Sequence, residues 1–308
     1  MRDFIIFLVI LCVGLSARSQ ESLDVLTLSG RYGFPQSYDS IYSSKAKEQG
    51  FMAALVAPIK MNEKYIWYSS LNYFYFHVSN DDEAPAEIVN PIDIHGIILR
   101  TGIYQKFSRD RAIQLFLVPR LMTDFHNINS NHFQLGALFL YEKKFRKDLK
   151  MGFGAMYNQE FFGPYLVPLV NIDWKISERW SIVGLFPVYG KVNYKVSDKF
   201  TTGLSHFGLL TTYRMGDAAY EGDYIERQSI DESLFARYRL FENIYLEGRL
   251  GYALGRSYAQ YEEDQKVDFS LPLISFGDDR VQKNVSFHDG VIVSLRFVYN
   301  VRIVPKTN

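Results

Sequence analysis

From residue 23 to residue 302 the chain repeats one pattern: apolar and polar side chains alternate with a period of two, in short segments bounded by turn signals. A period of two sends successive side chains to opposite faces of a strand, and the 3.6-residue period of a helix is nearly absent. Leu149, Met151, Phe153, Ala155 and Tyr157 share one face, against Lys150, Gly152, Gly154 and Met156 on the other. Phe133, Leu135, Ala137, Phe139 and Tyr141 stand opposite Gln134, Gly136, Leu138 and Leu140. Ile113, Leu115, Leu117, Leu121 and Phe125 stand opposite Gln114, Phe116, Arg120 and Asp124, and Val291 to Val301 opposite Ser294, Arg296, Asn300 and Arg302. The fold is therefore all-β. Aromatics at 16% and charged residues at 22% exclude a disordered chain, and a single cysteine excludes a disulfide-stapled module. A formal net charge of zero, without a basic stripe, argues against a nucleic-acid partner.

The N-terminus reads as an export signal. Arg2 precedes an apolar run from Phe4 to Leu15, and Ala17-Arg18-Ser19 puts small residues where signal peptidase reads. Cleavage is expected after Ser19, so that residues 1–19 are a signal peptide and residues 20–308 one domain. Twelve apolar residues would reach only about 18 Å as a helix, short of a ~30 Å hydrocarbon core. Cys12 as a lipid acceptor is disfavoured by the bulk of Leu11. Removal of residues 1–19 leaves no cysteine, so stability must come from packing or from closure of a sheet.

A soluble sandwich and a membrane barrel both alternate, but they differ in their connections. Tight charged turns fall at 61–64, 108–111, 146–148, 177–178, 197–199 and 242–243. Longer polar connections fall between them, at 35–49, 79–90, 126–131, 159–164, 215–226 and 258–285. Short turns on one side and long loops on the other are the habit of outer-membrane barrels, whereas Greek-key sandwiches have no reason to keep that order. The strand segments are 23–33, 50–60, 64–78, 91–107, 111–125, 132–145, 149–158, 165–175, 179–186, 189–196, 199–213, 228–240, 243–257 and 286–302. The reading is an antiparallel up-and-down transmembrane β-barrel of fourteen strands. Twelve is the alternative if the hairpin 179–196, interrupted by Pro187 and Gly190, lies at the rim or folds inward. A segment within 264–276 is either a further strand or an external hairpin. Aromatics such as Trp67, Tyr75, Phe107, Phe133, Phe145, Trp180, Tyr213 and Tyr238 lie toward strand ends, where rings meet the headgroup layer.

The inward face carries the candidate functional residues. Centring a turn on Glu242 pairs Leu240 with Ile244, Tyr238 with Leu246 and Leu234 with Leu250. The opposite face then pairs Arg239 with Tyr245, Arg237 with Glu247 and Phe235 with Arg249. An arginine on the lipid face at the midplane costs about 2–4 kcal/mol, so the register that turns all three inward is selected. Arg31, Arg120, Asp124, Asn171, Asp173 and Arg296 fall on polar faces and are expected to line the same lumen. At fourteen strands the cylinder is wider than side chains alone fill, which favours a pore unless a loop plugs it, and residues 258–285 are the plug candidate.

Catalytic patterns are weak. Ser205 and His206 are adjacent in a strand and point to opposite faces. Ser130 near His132 lacks a third member, and the acidic run Asp81, Asp82 and Glu83 near His77 reads as a solvated loop. Asp217, Glu221 and Asp223 match no calcium loop. There is no Walker loop, dinucleotide fingerprint, CxxC or HExxH, so no cofactor or metal is expected and the chain is not read as an enzyme.

The Ala17-Arg18-Ser19 end, the repeated aromatic hairpins, the run from Pro187 to Tyr194 with its Ser197-Asp198-Lys199 turn, and the closing Ser294-Leu295-Arg296-Phe297-Val298-Tyr299 strand resemble a domain-of-unknown-function family of bacterial outer-membrane β-barrels. The resemblance spans nearly the whole chain after residue 19, except that no terminal Phe closes the last strand. It implies a barrel in the outer membrane, surrounded by lipid and lipopolysaccharide, inserted by the barrel-assembly machinery, and without catalytic residues. The expected function is a passive or gated, porin-like channel for small solutes. The alternatives are a closed structural or adhesion barrel acting through its loops and, last, an outer-membrane hydrolase.

Overall fold

The structure, a computed structural model, describes residues 22–38, 44–80, 92–220 and 222–302. The expected signal peptide, the acidic run Asp81 to Glu83, Glu221 and the tail after Arg302 lie outside the described residues. The strands are β1 (Ser22–Ser37), β2 (Lys45–Lys60), β3 (Tyr65–Asn80), β4 (Ile92–Lys106), β5 (Arg111–Thr123), β6 (Phe133–Arg146), β7 (Leu149–Glu160) and β8 (Gly163–Lys175). There follow β9 (Trp180–Phe186), β10 (Tyr189–Lys195), β11 (Phe200–Arg214), β12 (Tyr224–Arg239), β13 (Ile244–Tyr261), a loop hairpin β14 (Phe269–Leu271) and β15 (Ile274–Phe276), and β16 (Gly290–Arg302). Fourteen of these pair antiparallel with their chain neighbours, and β16 returns to pair with β1, so the sheet closes. The short hairpin β9–β10 is part of the wall, which settles fourteen strands over twelve, and the hairpin within 264–276 lies in the loop before β16.

The outside is apolar. Leu115, Leu117, Leu135, Phe139, Leu234, Leu250 and Leu295 are large exposed side chains in a continuous wall, which water would penalise and lipid accepts. Phe107, Phe133, Phe145, Trp180 and Tyr238 are exposed at strand ends, as a girdle requires. Tyr213 departs from that expectation: it is fully buried, because the end of β11 bends into the barrel. Close strand contact is visible at Gly154, where a Cβ would lie 1.9 Å from the Phe139 carbonyl oxygen of β6.

One connection is shorter than the sequence suggests. Residues 159–164 form a tight turn at Phe161 and Phe162, both buried, because Gln159 and Glu160 continue β7 and the Glu160 carboxylate finds partners inside the barrel. Pro187 and Val188 alone connect β9 to β10, as the segments 179–186 and 189–196 lead one to expect. Elsewhere strands outrun their apolar pattern. β2 starts at Lys45, β12 at Tyr224 and β13 runs to Tyr261, since above the lipid both faces of a strand can be polar.

The two ends of the barrel differ. The end bearing residues 22 and 302 has tight turns throughout; the other carries the loops, together with the two tight turns at 161–162 and 187–188. At the loop end β11 crosses to the opposite wall, where Arg214 pairs in parallel with Thr123 of β5. Beneath that crossing, Phe74, Phe76, Ile94, Phe116, Leu140 and Tyr213 form an apolar core inside the barrel.

Candidate functional site

Alternation along the strands delivers a polar set to the lumen, and it gathers into three clusters. At the turn end the register pairs Arg237 with Glu247, Arg239 with Tyr245 and Phe235 with Arg249. The Glu247 carboxylate lies 2.7 Å from Lys191 Nζ, Arg249 Nη2 and Arg296 Nη1, and 3.7 Å from Arg237 Nη1. Arg237 donates instead to both Asp24 oxygens, at 2.9 and 2.7 Å, and its guanidinium lies 4.5 Å from the centre of the Tyr245 ring. Four cations thus surround two carboxylates, a local balance of +2.

The second cluster sits higher. Glu48 lies 3.0 Å from Arg31 Nε, 3.0 Å from Arg256 Nη1 and 3.4 Å from Arg227 Nη2, and it accepts from Tyr258 Oη at 2.9 Å. Arg31 also pairs with Asp231, and the Arg227 guanidinium stacks 3.7 Å above the Phe76 ring of β3. This is a contact from one wall to another, so the lumen is filled at that level. In the third cluster Arg120 Nη2 meets Glu160 at 2.9 Å, and the same carboxylate accepts from the Thr212 backbone N–H at 3.0 Å and from Thr212 Oγ1 at 2.8 Å. Arg120 also donates to Thr211 Oγ1 at 3.2 Å, so β5, β7 and β11 are tied together across the interior.

Exposure separates the levels. The Asp24, Lys191 and Arg237 side chains keep 33, 19 and 15% of their surface, whereas Glu48, Arg227 and Arg256 keep 1% or less. The turn end is thus a partly exposed vestibule, and the level of Glu48 is filled. Asp124 lies at the loop end, not in the vestibule. Just past β5, its carboxylate accepts from the backbone N–H groups of Gly216 at 2.9 Å and Asp217 at 3.0 Å, anchoring the β11–β12 connection. Asn171 donates to Glu142 at 2.7 Å on the inner face, and Asp173 stands opposite Lys150 in the β7–β8 register.

The loop from Glu262 to Asp289 covers the loop end and is fastened by ions. Arg280 bonds Glu226 and Asp278, Lys283 bonds Asp223, and Arg214 bonds Glu263, at 2.6–2.9 Å. The bond from Arg280 holds the Asp278 carboxyl below its ordinary value, and the bond to Asp223 raises Lys283 above its own.

Of the residues expected from the sequence, Arg31, Arg120, Arg237, Glu247, Arg249 and Arg296 stand in these clusters, beside Asp24, Glu48, Glu160, Lys191, Arg227 and Arg256, which the sequence pattern does not single out. The available signal was charge itself: single ionic residues at period two in segments too polar to read as membrane strands. No hydrolytic arrangement forms at His206, whose Nδ1 lies 2.5 Å from Glu232 and whose Nε2 lies 2.6 Å from the Pro187 carbonyl, while Ser205 is buried on the opposite face. His132 Nδ1 accepts from the Asn129 N–H at 3.1 Å. Among the described residues no group of three or more His, Cys, Asp or Glu could hold a metal ion.

Residues 30–291 match the model of a family described as a domain of unknown function, DUF6268. No curated protein matches the chain. Solved structures similar to it include an outer membrane channel of Pseudomonas putida F1, at 11% identity over 94% of this chain and 100% of that one, TM-score 0.44. Others are a mutant of the TodX monoaromatic hydrocarbon channel (10% identity, 92% and 91% covered, TM-score 0.39) and the translocator domain of the autotransporter NalP from Neisseria meningitidis (12%, 97% and 94%, TM-score 0.38). With TM-scores below 0.5, none of the three transfers a register or a solute to this chain.

Proposed function

Because the chain belongs to the DUF6268 family, whose description assigns no activity, we propose a function from its own geometry: an integral outer-membrane barrel that conducts small solutes, anions preferred, held here in a shut state. The observation that carries this reading is the vestibule, where four cations face two carboxylates around Glu247 and Asp24 and stay partly wet. A ring of excess positive charge in a confined lumen concentrates anions and repels cations. The filled level of Glu48 makes the channel gated rather than passive. Even strand parity, with both described ends beside the tight turns, supports a periplasmic vestibule and loops facing outward among lipopolysaccharide. Export requires the signal in residues 1–19, and N-terminal sequencing of the mature protein is expected to begin at Gln20. Insertion then falls to the barrel-assembly machinery. Arg239, Asp173 and Asn171 complete the lumen lining in this reading.

The test is planar-bilayer recording under a KCl gradient. Discrete steps with an anion-favouring reversal potential are expected, and Arg237→Ala should shift that potential toward zero. Silence from the intact protein, and equally from a variant lacking residues 262–289, would overturn the channel. That result would favour the second reading, a closed structural or adhesion barrel, for which the wall-to-wall Arg227–Phe76 stack is the supporting observation. A hydrolase is not proposed, because both His206 ring nitrogens are already engaged.

A further inference from the structure

The wall is not of even height. β9 and β10 have seven residues each, where β8 has thirteen and β11 fifteen. Seven residues at ~3.4 Å each, tilted by ~45°, rise about 17 Å, short of the ~25 Å apolar band of an outer-membrane barrel. The β9–β10 turn at Pro187 and Val188 therefore ends inside the lipid. Pairing shows what stands above it. β8 meets β9 only from Val170 to Lys175, and β11 meets β10 only from Thr201 to Phe207. The upper halves of β8 and β11 face each other with neither short strand between them. The end of β11 swings inward to Thr123 of β5, and at the top it meets the β7–β8 turn, where the Phe161 N–H donates to Thr212 Oγ1 at 2.8 Å, so the gap is bounded above.

An uncovered strand edge is not tolerated in hydrocarbon. On β8 the edge is met by the loop hairpin, through a parallel bridge between Ser270 and Tyr165, with β15 continuing the sheet outward. The hairpin base is held by the Val267 N–H to the Phe162 carbonyl at 2.8 Å and by Lys266 Nζ to the Phe161 carbonyl at 2.5 Å. Its far side is apolar and exposed: Leu273 is 74% exposed, and Ile274 and Phe276 are both more than half exposed. Such a tip suits lipid, not water. Around the gap, Val167, Leu169, Leu185, Val188, Phe207 and Leu210 all belong to or pack on the apolar core inside the barrel. The interior core thus continues sideways to the membrane.

We propose that this gap is a side door between the upper lumen and the outer leaflet, that the β14–β15 hairpin is its shutter, and that apolar, hydrocarbon-like solutes pass through it. The aliphatic and aromatic lining selects that class. The route goes beyond axial anion conduction and does not depend on it.

The shutter can be locked through its own bridge. Partner residues on adjacent strands stand within the Cα separation a disulfide spans, and the chain has one cysteine, Cys12, so Tyr165→Cys with Ser270→Cys introduces the only pair after residue 19. Cells with an intact lipopolysaccharide outer leaflet would express the barrel and be given the apolar dye N-phenyl-1-naphthylamine. Dye fluorescence should rise faster with the wild type than with empty vector. Oxidising the pair should return the rate to the vector level, and dithiothreitol should restore it. Replacing residues 269–276 by a Gly-Gly link should raise the rate above wild type. Equal rates in the oxidised and reduced forms, with the crosslink verified by gel shift, would overturn the door, as would a wild-type rate equal to the vector. Bilayer conductance of the same protein reports the axial channel separately, so the two readings fail independently.

Discussion

Replacing Glu247 by Gln tests whether the vestibule cluster is a paired network or a water-filled ring of charges. Glu247 makes three direct contacts with cations at 2.7 Å, to Lys191, Arg249 and Arg296, and its side chain is fully buried. A hydrogen bond to a charged group contributes about 1.5–3 kcal/mol and a neutral one about 0.5–1.5, so each of the three bonds loses about 1 kcal/mol when the acceptor becomes an amide. The summed loss of about 3 kcal/mol sits at the lower end of what breaking a buried ion pair costs, about 3–5 kcal/mol. The partners are less than one-fifth exposed, so screening removes little of it. Denaturant unfolding in lipid–detergent micelles, followed by tryptophan fluorescence and heat-modifiable gel mobility, reads the loss. A second substitution, Lys191→Met, should return about 1 kcal/mol by removing one of the cations left in mutual repulsion. Selectivity moves the other way. Counting Lys191, Arg237, Arg249 and Arg296 against Asp24 and Glu247, the balance rises from +2 to +3, so the channel should become more anion-selective as it becomes less stable. A stability change below ~0.5 kcal/mol would refute the paired network, because an exposed pair contributes only about 0–1 kcal/mol.

Three further outcomes are expected. Asp124→Ala strips the acceptor from the Gly216 and Asp217 N–H groups, which should cost about 1–3 kcal/mol and expose the 215–223 connection to limited proteolysis while the barrel persists. The outer loop should hold over a wide pH range. Asp278 is depressed below 3.8, so its contribution is complete above that value and vanishes as pH falls through the lowered pKa; Lys283 is raised above 10.5, so its contribution is complete below that value and vanishes as pH rises through the raised pKa. Protease resistance of residues 262–289 should therefore hold from neutral pH up to the alkaline extreme, where Lys283 deprotonates; loss at mildly alkaline pH would contradict the assignment. Gly154→Val puts a side chain where a Cβ already meets the Phe139 carbonyl at 1.9 Å, so the heat-modifiable folded band should be lost in favour of the unfolded one.

How much was legible depends on whether lipid was present to enforce the pattern. Within the membrane every second residue had to be apolar, so the strands, their number and even the β12–β13 register could be read from Leu234, Tyr238 and the three arginines that could not face hydrocarbon. Above the membrane that constraint lapses, which is why the polar start of β2, with Glu48, reads as a loop in the sequence and Gln159 and Glu160 read as a connection. Tyr213 illustrates a different limit. Its placement at a strand end suggests a headgroup ring, but β11, paired with β10 only as far as Phe207, turns its end inward to Thr123 of β5 and buries the ring.

The sequence by itself determined an all-β barrel, which side chains face lipid, and that the lumen is charged, because each of these follows from the two-residue period of a strand and the cost of charge in hydrocarbon. Only the tertiary structure decided which charges meet, that the turn-end cluster stays partly exposed while the level of Glu48 is filled, and that one stretch of wall is low. Those depend on contacts between residues far apart in the chain, such as Arg227 with Phe76 and Arg214 with Thr123, whose approach is set by closure of the sheet and by unequal strand lengths rather than by any local pattern.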